Sequence, residues 1–355
     1  MNKISIRNKI LFFADKALKT IQLTGIILSV HKDFALLSKG YVVYKFDYNN
    51  KLEEYARILD NNYSFLAKYK IFRRLLRMEI TKYYHFKSGD FCISKKGIYK
   101  KMTNTKALYK CFTIIRGSRP LNICEDIHGN LYFGEYFNNV KKDEVVIYKS
   151  TDAGNSWHSV YVFPANEINH IHGIYSDPYS SRLWFLTGDH DNECIIGYSE
   201  DGFESIVEFL RGKQDYRACI MLFYPDYLVF GTDSPYIQNK IYKIDRETKK
   251  VSLLQNVSGS VIYGGQTHDF SYISTTVEPS KKNQHKLSEL WISKEGVIWN
   301  KVYEQKKDLL PTTLFQFGSI RFPFISAASP FFSFSGRSLK KIDGKSIIVN
   351  KNDLI

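Results

Sequence analysis

What most limits the fold of this chain is a turn that keeps returning. Ser150-Thr151-Asp152-Ala153-Gly154-Asn155-Ser156-Trp157 separates two apolar runs, residues 145–148 and 160–163. Apolar, polar, apolar over so few residues reads as a β-hairpin. Asp152 can accept backbone N–H groups of its own turn, Gly154 supplies positive φ, and Trp157 packs across the hairpin. Weaker copies follow the same form: Ser199-Glu200-Asp201-Gly202-Phe203, Ser293-Lys294-Glu295-Gly296 with Trp299, and Ser94-Lys95-Lys96-Gly97. Residues 44–47, 242–245 and 340–343 keep only an apolar-Lys-apolar-Asp core. The acidic or equivalent positions are 47, about 96, 152, 201, 245, 295 and 343, spaced by roughly 44 to 56 residues. Short strands repeating at that period are the mark of propeller blades. The expectation is an all-β chain, a β-propeller of four-stranded blades forming one domain over residues 1–355. Seven blades are expected, with six as the alternative. Residues 49–80 break the pattern. Charged and apolar residues mix there at a helical period, which predicts a helical insertion between the first two blades.

Composition agrees with strands. There are 25 Tyr and 25 Phe, and 44% of residues are apolar, enough for a sizeable core. The net charge of +14 admits two readings, an anionic partner or a lysine-rich solvated surface. The cations are scattered, densest at Arg73, Arg74 and Arg77, near Lys100, and at Lys281 and Lys282. No helix-turn-helix, zinc-finger or RNA-binding signature is present, so a nucleic-acid partner is not expected. The five cysteines are irregularly spaced and form neither a disulfide framework nor a zinc motif. Free thiols point to a reducing compartment. The N-terminus is basic, then partly apolar at residues 10–13 and 21–30, and Asp15, Lys16 and Lys19 interrupt it. It lacks the apolar core of a signal peptide, and no run of about 18 apolar residues occurs elsewhere. A cytoplasmic location without a transmembrane segment is expected. For residues 5–30 an ordinary packed helix or strand pair is favoured over weak contact with a membrane surface.

The S-x-D-x-G-x-x-W spacing of residues 150–157 resembles the Asp-box, or BNR, repeat of the sialidase-like β-propeller superfamily. The resemblance covers about residues 85–345. In a propeller, strands A to D of each blade run outward from the axis. An Asp-box in the C–D turn marks one face, the bottom, so the D–A and B–C connections gather at the opposite mouth. The resemblance implies that this upper mouth is the functional face. Residues assigned there are Arg119, Glu135, His170, His172, Asp189, Asp191, Arg217, Asp233, Tyr236, Glu278 and Gln316. Sialidases use three arginines, an acid/base carboxyl and a Tyr–Glu nucleophile pair. Here only Arg119 and Arg217 fall on the upper face. Arg321, within Ile320-Arg321-Phe322-Pro323, resembles the arginine motif in wording but stands late in the chain, expected at the bottom of its strand. Nothing marks Tyr236 as a nucleophile, so the chain departs from true sialidases.

Three functions compete. The first is a carbohydrate-active propeller acting on an acidic glycan or polysaccharide. A glycoside hydrolase would draw paired carboxylates from Asp191, Asp233 and Glu278. A polysaccharide lyase would use His172 as base, with Arg217 neutralising the uronate. Arg119, Glu135, His170, Asp189, Arg217, Tyr236 and Gln316 would bind substrate. The second is a non-catalytic propeller that binds a glycan or a protein through the same mouth. The third is an intracellular glycosyltransferase in surface-polysaccharide assembly. Each loop carboxylate is more often solvated than functional, and Arg119 and Arg217 could equally pair with Glu135 or Asp233. No cofactor is expected. His170 and His172 share a strand face and leave open a divalent metal with Asp189 or Asp191, though no third ligand has a diagnostic spacing.

Overall fold

The structure is a computed structural model and describes residues 4–14, 16–59 and 65–354. The chain is all-β, built from runs of short antiparallel strands. The first run is Ile26–Val30, Phe34–Lys39, Val42–Asp47 and Leu52–Ile58. The second is Lys82–Phe86, Gly89–Ser94, Gly97–Lys101 and Ala107–Thr113. A short parallel pairing, Ala107 opposite Arg57, joins these two. Three separate four-stranded sheets follow: Cys124–Glu125 to His158–Phe163, His170–Ser176 to Val207–Arg211, and Ala218–Phe223 to Val251–Asn256. The next run spans Ser260–Gln266, Ser271–Val277, Leu287–Ser293 and Asn300–Lys306.

The last run takes its fourth strand from the other end of the chain. Gly318–Arg321, Phe331–Arg337 and Lys345–Asn350 pair in order, and Lys16–Thr24 then adds to Lys345–Asn350 with Ile21 opposite Ile348. Ile6–Phe13 pairs outside Lys16–Thr24. Within residues 5–30 the described elements are therefore strands, Ile6–Phe13, Lys16–Thr24 and Ile26–Val30. On the outermost one Ile10 and Phe12 face solvent while Phe13 is buried, the period of two that a half-covered strand imposes. Inner strands lack that alternation. Ala218–Phe223 and Ser271–Val277 are buried along their whole length, because neighbours cover both faces.

The turn at Asp152 shows why the repeat needs its residues. Ser156 N donates to Asp152 Oδ1 at 2.8 Å and Ser156 Oγ to Oδ2 at 2.6 Å, while Gly154 N donates to Ser150 Oγ at 2.8 Å. The turn at Asp201 repeats this through Ser199, Phe203 and Ser205. Gly154 has φ +80°, and a Cβ there would lie 2.6 Å from the Phe91 ring. Trp157 does more than close its own hairpin. Its ring meets Phe133 of the same sheet and Phe112 of the preceding run.

Three expectations need correction. Residues 52–58 form a strand, not a helix, because Leu52–Ile58 completes the first run. Helical structure within 49–80 is confined, among the described residues, to Leu66–Lys68 and Lys70–Leu76. Ser94-Lys95-Lys96-Gly97 joins the second and third strands of its run, not the third and fourth. Residues 340–343 do likewise, because the N-terminal strand supplies the fourth strand of that run. The turns at 47, 152, 201, 245 and 295 do join third and fourth strands. No described helix is long and apolar enough to cross a membrane, and all five cysteines are free.

Candidate functional site

The first strand of each run starts at the end opposite the Asp152 turn, and side chains from several runs meet there. His170 and His172 come from strand His170–Ser176. Its pairing slips between Ile171 and Gly173, so His172 sits in a bulge, a device that re-aims a side chain. His172 Nδ1 lies 2.9 Å from the Ala218 carbonyl oxygen, and His170 Nδ1 lies 3.1 Å from that of Phe137. The two Nε2 atoms face each other at 3.1 Å. Burial, then the neighbouring His172, lowers His170 to about 4, and burial also lowers His172. Tyr136 lays its ring 4.3 Å from that of His170.

Asp189 ends strand Leu183–Gly188 and has φ +117°, outside the usual range for a residue with a side chain. Its carboxylate is well held. Arg217 Nη2 approaches Oδ1 at 2.8 Å, Asn169 donates to Oδ2, and His170 Nε2 stands 3.7 Å away. Burial opposes its charge, yet His170 and Arg217 hold its carboxyl below the ordinary range. Arg217 also reaches Asp233, whose Oδ2 is 4.0 Å from Nε and accepts from Cys219 Sγ at 3.2 Å. Glu278 follows strand Ser271–Val277 and accepts from Ser260 Oγ at 3.3 Å. Burial, then the Asp233 charge, pushes Glu278 up to about 7. Glu278, driven towards neutrality by burial and then by Asp233, thus shares one mouth with a second carboxyl group.

Below the mouth the axis is basic. Arg321 stacks over Tyr263 at 5.1 Å and donates to Gln316 Oε1 at 3.0 Å. Burial, then Arg321, holds Arg119 down to about 10, and burial with Arg119 and Arg321 brings Lys82 to about 8. Among the described residues Arg119 has no ion pair. Lys82 and Tyr263 also line a cavity of about 320 Å³ with Tyr84, Asn122 and Tyr175.

The structure therefore gathers His170, His172, Asp189, Arg217, Asp233 and Glu278 at one mouth, with Arg119 and Gln316 on the arginine cluster beneath. Three candidates stand apart. Asp191 is exposed in the turn Asp191–Glu193. Glu135 is taken by Arg116 and by the backbone N–H of Val146, 3.0 Å away. Tyr236 is 57% exposed. Arg321, the last residue of strand Gly318–Arg321 as expected, nonetheless stands beside Tyr263, Gln316 and Arg119. Tyr136, Cys219, Lys82 and Tyr263 were also missed. Lys82, Cys219 and Tyr263 sit in ordinary first-strand sequences, and Tyr136 lies just beyond strand Leu131–Gly134.

No family model matches the chain, and no curated protein matches it. Solved structures do. The GH74 enzyme of Niastella koreensis aligns at 12% identity and TM-score 0.50 over 83% of this chain, which spans only 46% of that one. A structure of YCF48 bound to D1 peptide aligns at 13% identity and TM-score 0.54 over 97% of this chain and 100% of its own. A chain of the mitotic checkpoint complex aligns at 8% identity and TM-score 0.54 over 92% and 89%. Such likeness at such identity shows a propeller-like fold.

Proposed function

We propose that the chain is a single-domain, seven-bladed propeller of the Asp-box class that hydrolyses an acidic glycan at the mouth holding Asp233 and Glu278. The observation that carries this reading is the carboxyl pair. Glu278, raised to about 7, keeps a proton to give to a leaving oxygen. Asp233, 6% exposed, is the second carboxyl group of the pair. The half-buried cations Arg119, Arg321 and Lys82, which repel one another even with Glu79 nearby, support an anionic substrate.

Hydrolysis is favoured over elimination by the state of His172. It is 2% exposed, one ring nitrogen faces the Ala218 carbonyl, and the other faces His170. With one ring nitrogen turned to a carbonyl and the other to His170, neither is aimed at a substrate proton. A non-catalytic glycan binder is the second reading, favoured by how fully Arg217 is engaged with Asp189 and Asp233.

The test is incubation with a panel of acidic polysaccharides, with products read by mass. Hydrolysis adds one water per bond broken, H to one fragment and OH to the other, and leaves no unsaturated, ultraviolet-absorbing end; Glu278→Gln abolishes these products. Unsaturated ends would mean a lyase. Retained binding without turnover would mean a binder.

A further inference from the structure

We propose that His170, His172 and Asp189 form a binding site for a first-row divalent metal ion of the zinc type. The argument begins with hydrogens. A backbone carbonyl only accepts, so His170 Nδ1, facing the Phe137 oxygen, and His172 Nδ1, facing the Ala218 oxygen, must both carry hydrogen. In neutral imidazoles this leaves both Nε2 atoms as bare lone pairs. Those two lone pairs confront each other at 3.1 Å inside the protein. Two acceptors at that distance repel unless a cation lies between them.

The separations are those an ion requires. Zinc–nitrogen bonds of about 2.05 Å at tetrahedral angles place donor atoms about 3.3 Å apart. The two Nε2 atoms are 3.1 Å apart, and Asp189 Oδ2 is 3.7 Å from His170 Nε2. The ligating atoms of His170, His172 and Asp189 all lie within 4.8 Å of one another. His172, Cys219 and Asp233 form a second such group that shares only His172 with the first, so water is left to complete the coordination.

The surroundings have the form of an outer shell. Nδ1–H bonds from ligating histidines to backbone carbonyls fix the tautomer that presents Nε2 to the metal. Asn169 and Arg217 orient the carboxylate. The strained backbone at Asp189, φ +117°, is a local cost that the fold keeps at this place. Two imidazoles and a carboxylate suit zinc, cobalt or nickel better than calcium or magnesium, which prefer all-oxygen shells. The site is independent of the hydrolase reading, which rests on Asp233 and Glu278.

The experiment uses the full chain, stripped with a chelator and dialysed, then titrated with Zn(II) or Co(II). Metal content by atomic emission and the ligand-field bands of four-coordinate cobalt are the readouts. The expected result is one ion per chain in the wild type and in His190→Gln, an exposed-histidine control. His170→Gln should weaken binding by more than about 100-fold, beyond the 10–100-fold typical of an outer-shell loss. Asp189→Asn keeps the carboxylate's shape and should also weaken binding, so it serves if His170→Gln fails to fold. Substoichiometric binding, or binding untouched by both variants, would overturn the proposal. So would a proton found on Nε2 between the two rings by nitrogen NMR of the metal-treated protein.

Discussion

The Arg217 guanidinium stands between two carboxylates, with Nη2 2.8 Å from Asp189 Oδ1 and Nε 4.0 Å from Asp233 Oδ2. All three groups are mostly buried, so removing the cation strands two negative charges. Arg217→Met should cost on the order of 3–5 kcal/mol, the usual penalty for breaking a buried pair from one side. Chemical denaturation at neutral pH measures it. A loss below about 1 kcal/mol would mean that water reaches the carboxylates freely.

A second prediction concerns acid. Hydrogen bonds from Ser156 and Ser205 hold Asp152 and Asp201 down to about 2. A carboxylate depressed in the folded state stabilises above its unfolded pKa, roughly 3.9. That contribution fades as pH falls from there through about 2. Asp152→Asn should therefore flatten the fall of Tm between about pH 5 and pH 2 while leaving its plateau shape near pH 7. An unchanged acid limb would contradict the role of these turns.

Gly154 makes a third case. Alanine there meets both positive φ and the Phe91 ring, and should cost about 1–3 kcal/mol by overpacking alone. The partner turn shows what decides this. Phe203 occupies the matching position at φ +72° and is fully buried, so the conformation admits a side chain wherever the next run leaves room. Gly202→Ala, beside it, is constrained by the Tyr132 hydroxyl, 2.9 Å from where a Cβ would lie. Thermal denaturation of the Gly154 variant is the check.

The turn residues made much of this fold legible. Asp and Ser at fixed offsets identify hairpins, and hairpins at a steady period imply a ring. Legibility failed where the frame slipped. Residues 340–343 look like the turns at 47 and 245, but their run borrows a strand from the N-terminus, so the hairpin joins different strands. Within the mouth, sequence could name the stretch Gly188-Asp189-His190-Asp191 but not choose among its acids. That choice rests on one backbone angle at Asp189 and on the turn of Asp191–Glu193, which sends Asp191 outwards. Arg116 took Glu135 through contacts that no local pattern announces.

Glu278 offers a fourth prediction. Its carboxyl, raised to about 7, binds a proton more readily when folded than when unfolded. Stability should therefore rise as pH falls from about 7 towards 4, and Glu278→Gln should remove that slope. Turnover of an acidic glycan should fall above about pH 7 as the acid loses its proton. A pH–rate profile flat through neutrality would rule Glu278 out as the acid.

The most direct test is calorimetric titration of the full chain with a uronic-acid oligosaccharide and with its methyl ester, which removes only the charge. The account predicts that the acid binds about 10–100-fold more tightly than the ester, as a charge-assisted hydrogen bond of about 1.5–3 kcal/mol requires. It predicts too that Arg119→Ala erases the difference. Equal binding of acid and ester, or a preference untouched by Arg119→Ala, would contradict it.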